Sequence, residues 1–137
     1  MNRHPYLRAY LAGICVPTIF LLVVATAFTF LRYVYNFPVP IERVIVFPMA
    51  VVPNLWGLWN ILFLASHERL HLSLGLHGAL LPFLLAPLGM LATGLLNFSI
   101  PAFAAHVFPF AAPIALILYY LAWKHLVGAL NSELGIA

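Results

Sequence analysis

Four long apolar stretches divide the chain, at residues 11–31, 44–65, 76–96 and 102–123, and none contains Lys, Arg, Asp or Glu. Each has the roughly 20 residues that a helix needs to cross the hydrocarbon of a bilayer. Backbone polar groups find no partner in lipid, so a spanning segment is either a helix or a strand of a closed barrel. Barrel strands alternate apolar and polar residues; the run ICVPTIFLLVVATAF from Ile14 to Phe28 does not alternate. The pattern predicts an all-α, polytopic integral membrane protein, a four-helix transmembrane bundle forming one membrane domain over residues 1–137. Only short connections remain between the stretches, which leaves no room for a separate soluble domain.

Composition points the same way. With 65% hydrophobic residues, 7% charged residues and a mean hydropathy of +1.07, too few polar side chains are present to cover a globule in water. The net charge of +3 is that of a membrane protein with basic anchors and gives no reason to invoke nucleic acid. Arg3 and Arg8 ahead of an apolar run imitate a secretory signal, with Ala25-Thr26-Ala27 as a cleavage site, but the run continues through Phe28, Phe30 and Leu31. An uncleaved first span is the expectation.

Four spans would place both termini on one side, together with Arg3, Arg8, Arg69 and Lys124, and leave Arg32 and Arg43 on the other. The positive-inside rule then makes the terminal side cytoplasmic, in a membrane of bacterial inner-membrane type. Cys15 is the sole cysteine, so neither an intramolecular disulfide nor a thiolate cluster is expected.

Prolines interrupt every span: Pro17 in the first, Pro48 and Pro53 in the second, Pro82 and Pro87 in the third, Pro109 and Pro113 in the fourth. Each removes a backbone donor, so proline-kinked helices are predicted. Such breaks occur around transporter sites and also as ordinary tolerance of proline in membrane helices. Small residues at steps of three or four mark close helix contacts: Ala9, Gly13 and Pro17 in the first span, and Gly78, Pro82, Ala86, Gly89 and Thr93 in the third. The longer stripe predicts a central third helix. Tyr33, Tyr35 and Phe37, and likewise Tyr119, Tyr120 and Trp123, read as interfacial aromatic anchors, whereas Trp56 and Trp59 fall in mid-span, to pack on a partner or inside the monomer.

Against this background stands SHERLHLSLGLHG, Ser66 to Gly78. No helix breaker precedes Gly75, so the second helix is predicted to project to about Leu74, with Asn60, His67 and His71 on one stripe and a turn at Gly75. His67-Glu68-Arg69-Leu70-His71 has the HExxH spacing in which two histidines bind zinc and the glutamate acts as general base on the bound water. Here His67 and His71 would be metal ligands and Glu68 catalytic. His77, ten residues past His67, stands where HExxHxxGxxH supplies its third ligand, although Gly75 is one place late. The five-residue core also resembles intramembrane metalloproteases, whose third ligand is an aspartate; this chain contains no aspartate.

Haem binding is a second chemistry, with His71 or His77 opposite His125 at similar depth. The cofactor-free reading takes the histidines as a helix end at the cytoplasmic face. It expects a non-enzymatic accessory or scaffold subunit or binding module, associating through its helix surfaces with other membrane subunits or with itself. A small-solute transporter remains a further alternative, with few ionisable residues in the spans to couple it to ions.

Overall fold

A computed structural model describes residues 3–38, 49–97 and 102–136, and every regular element among them is helical. They are α1 (Pro5–Val34), α2 (Ala50–Leu70), a short α3 (Leu74–Ala79), α4 (Leu81–Leu95), α5 (Ala104–Leu121), a π-helical turn (Ala122–Val127) and α6 (Gly128–Glu133). Pro48, Glu42 and Arg43 lie outside the described residues. Three helical runs, Pro5–Val34, Leu74–Leu95 and Ala104–Glu133, are long and apolar enough to cross a membrane. The expected fourth, α2, is not among them. It carries Asn54, Asn60 and a His67-Glu68-Arg69 end, and the apolar start expected at Val44 lies outside the described residues.

Helices α1 and α2 pack antiparallel through glycine. A Cβ on Gly13 would come within 2.5 Å of the Trp56 carbonyl oxygen and 2.8 Å of the Gly57 Cα, and a Cβ on Gly57 within 2.5 Å of the Tyr10 ring. Backbones this close need residues without side chains. Ala9, Gly13 and Pro17, the predicted small-residue stripe of the first span, are all buried, and so is Ala12. The stripe of the third span is different. Gly78 is buried, but Leu81 is the one buried residue of α4, and Ala86 is exposed. The third helix is therefore not central along its length: only its start is buried, and the closest helix contact is between α1 and α2.

The third span breaks at Leu80, between α3 and α4, because Pro82 has no N–H and its ring would strike the carbonyl one turn back. Prolines 17, 53, 87, 109 and 113 lie inside helices. The fourth helix runs beyond its expected end at Trp123 to Glu133, since no proline intervenes and Gly128 keeps helical dihedrals (φ −59°, ψ −45°). It stops in a left-handed Gly135 (φ 68°), with Gly135 N–H bonded to Ser132 O (3.1 Å) and Ile136 N–H to Asn131 O (2.8 Å). This is the bond pattern of a glycine-terminated helix.

The core gathers at one end. Trp56, Leu81, Trp123 and Val127 form it, with Val16, Val52, Trp59, Leu74 and Tyr119 packed around them. The start of α1 and the end of α6 meet at this end: Arg8 Nη1 donates to Leu134 O at 3.2 Å. Toward the other end apolar side chains are open, among them Phe20, Val23, Phe30, Met90, Leu95, Phe108 and Phe110, and α5 has no buried residue at all. Within the spans, Thr26, Thr29 and Thr93 return their hydroxyls to carbonyls of their own helix (2.8 Å each), the local solution available without water.

Candidate functional site

The predicted projection of α2 to Leu74 does not occur. The helix ends at Leu70, and His71 takes a left-handed conformation (φ 52°, ψ 25°), its N–H bonded to His67 O at 3.0 Å. Ser73 then caps α3 by accepting from Leu76 N–H (3.3 Å). Serine is a strong N-cap residue and offers a new helix start before Gly75 is reached. Gly75 is thus inside α3, where a Cβ would come within 2.7 Å of the Tyr120 ring. It makes room for an aromatic side chain, and the turn lies upstream. His71 leaves the stripe it was expected to share with His67 and is exposed, as is Glu68.

His77 is buried, at 3% exposure. Its Nε2 lies 2.9 Å from Trp59 O, and a carbonyl can only accept, so this nitrogen carries the proton. The Trp59 indole in turn donates to His77 O (2.7 Å), and the two rings stack at 4.9 Å. The pair ties α2 to α3 from both directions. Phe63 contacts His77 at 5.3 Å and His67 at 5.5 Å between ring centroids, while His67 Nδ1 lies 3.0 Å from Leu64 O.

A zinc site requires three donors converging at about 2 Å on one point. Among the described residues no group of three or more His, Cys, Asp or Glu side chains is placed to hold a metal ion. His67, His71 and His77 are therefore not brought together as the predicted zinc triad, and Glu68 lies exposed on the last turn of α2. The physical reason is the early stop of α2 at Leu70, together with the engagement of His77 by Trp59. The haem pairing fits no better: His71 and His125 are both exposed, whereas a haem held between helices needs facing, enclosed imidazoles.

Trp123 also departs from its expected place. It is fully buried rather than an interfacial anchor, at 5.2 Å from the Trp56 ring, 6.0 Å from His77 and directly against Gly78, where any Cβ would collide with it. Trp123, Val127 and Asn131 are buried at four-residue steps across the π turn. Tyr119 and Trp56, at 5.2 Å, complete the aromatic cluster, so the mid-span tryptophan packs inside the monomer.

Two amides lie at the centre of this end. Asn60 Nδ2 donates to Asn131 Oδ1 (2.8 Å) and to Ala9 O (2.7 Å), and Asn131 Nδ2 donates to Asn60 Oδ1 (3.1 Å). The exchange joins α1, α2 and α6. Tyr10 donates to Asn54 nearby, and Asn54 Nδ2 to Ala50 O at 2.7 Å.

Between α1 on one side and α2, α5, the π turn and α6 on the other lies a half-enclosed cavity of about 910 Å³. Its lining runs from Cys15 to Val23 on α1 and from Leu118 to Leu130 on the last helix, with Val52 and Trp56 between; Cys15, Trp56 and Tyr119 carry its only polar side-chain atoms. Its walls offer apolar contact and almost no hydrogen-bonding groups. The chain matches no protein-family model, no curated protein and no solved structure.

Proposed function

We propose that the protein is a non-enzymatic subunit or binding module of a membrane assembly. In this reading it crosses the bilayer four times, with α2 as the least apolar span. Its helices bend at their internal prolines, and both termini face the cytoplasm of a cell with a bacterial-type inner membrane.

One observation supports it above the others: the buried amides and the buried imidazole are engaged in holding the helices together. The amides of Asn60 and Asn131 bond each other, His77 bonds Trp59, and large apolar side chains stand open along α1, α4 and α5. A catalytic site needs acid, base or metal-binding groups facing a substrate space. The space present here is walled by hydrocarbon. Exposed apolar helix surface on this scale is covered by lipid or by other membrane helices.

The test is elemental analysis and a visible spectrum of the detergent-purified protein, read with its mass. The expected result is no stoichiometric zinc, no Soret band, and a particle larger than one chain. Near-unit zinc that disappears in His67→Ala, or a Soret band lost in His125→Ala, would contradict the proposal.

A further inference from the structure

We propose that the apolar cavity is a binding groove for a single acyl chain of a bilayer phospholipid, in the leaflet next to the termini. This rests on the membrane-spanning reading above. Three observations lead to it.

The first is chemistry. A dry, apolar cavity does not hold water, which needs several polar partners, and the groove wall is alkyl and aromatic, with Cys15, Trp56 and Tyr119 as its polar exceptions. In a membrane a void of about 910 Å³ open at its side fills with what surrounds it, and that is hydrocarbon. The volume is within the range of pockets that take whole ligands, about 300–1,000 Å³.

The second is direction and length. The walls are helices, so the groove follows their axes. At a rise of 1.5 Å per residue, Cys15 to Val23 extends about 12 Å and Leu118 to Leu130 about 18 Å. One leaflet contributes about half of a hydrocarbon core roughly 30 Å thick. A single extended chain from one leaflet matches this length, and a complete spanning helix from a partner does not.

The third is position. Leu130 adjoins Asn131, in the amide cluster at the terminal end, and Val23 lies further along α1 among open apolar side chains. The groove thus starts near the end where the polar bonds gather and runs inward from it. That is the order of headgroup and tail in a lipid.

The experiment is native mass spectrometry of the full chain in a mild detergent, with palmitoyl-oleoyl phosphatidylcholine and, separately, the phosphatidylglycerol of the same chains as probes. The wild type is expected to retain one phospholipid after loosely attached lipid is stripped, with either headgroup. In Ala122→Trp, which fills the groove, retention falls about tenfold or more, and in Leu91→Trp, on an exposed face of α4, it is unchanged. Ala129→Phe provides a second way to fill the groove if Ala122→Trp does not fold, and circular dichroism checks both. Equal retention by all variants, or no retained lipid in the wild type, overturns the proposal. A second protein chain that leaves on filling the groove also overturns it, in favour of a helix as the occupant. If the protein instead washes off membranes in alkaline carbonate, the membrane reading itself fails, and that outcome is distinguishable from an empty groove in a protein that stays embedded.

Discussion

Asn60 and Asn131 bury their amides almost completely, at 0% and 1% exposure, and remain tolerable there because each satisfies the other. Removing one partner leaves a buried polar group unpaired, at a cost of about 1–3 kcal/mol. Asn60→Leu and Asn131→Leu should each lower stability by that amount in reversible unfolding in detergent. The double variant should recover roughly 0.6–2 kcal/mol relative to the sum, the coupling expected for an interhelical bond in a membrane. Additivity of the two would mean that the bonds contribute nothing. Little of this was legible in the sequence. Asn60 stood out by its register with His67, but Asn131 lies 71 residues away, past the expected end of the fourth span, and only packing brings the two together. His77 illustrates the opposite error. Its spacing from His67 suggested a ligand, but spacing along the chain is silent on whether a buried imidazole faces a metal or a carbonyl.

At the scale of elements, glycine separates contact from exposure. Gly78 lies against Trp123, and the added methyl group of Gly78→Ala has nowhere to go; Gly94 has no atom within 4 Å of where its Cβ would stand. Gly78→Ala is expected to destabilise by about 3 kcal/mol or to prevent folding, while Gly94→Ala stays within about 0.5 kcal/mol of wild type. Thermal unfolding of the two variants side by side checks this, and equal effects would contradict the placement of Trp123. The helical character of the chain and the close contact of the first span at Ala9, Gly13 and Pro17 could be read directly, because length, hydropathy and small-residue spacing are local signals. Helix ends were harder to read. A non-glycine residue in the left-handed region, His71, stops α2, and a proline interrupts the third span about two turns after it begins. Both depend on which of several near-equal local solutions the packing selects. The π turn at Ala122–Val127 has no proline or glycine within it to announce it.

For the whole molecule, hydropathy predicts a membrane bundle, and three helical runs meet that description. What the hydrophobic pattern could not convey is where the bundle is tight. A uniformly apolar sequence looks the same whether its residues face lipid or each other. The tight end, with its amides, Trp59–His77 pair and aromatic cluster, is built from the few side chains that can hydrogen-bond or interlock, and the other end is left to its surroundings. A four-span bundle requires α2, the least apolar of the long helices, to cross the bilayer. Substituted-cysteine labelling from each side of sealed vesicles, in a Cys15→Ser background, tests this directly. Single cysteines at His4, Ser73 and Ser132 should all react from one side, and those at Asn36 and Asn97 from the other. A cysteine at Ser73 that reacts from the same side as Asn36 would mean that α2 does not cross, and would contradict the four-span bundle.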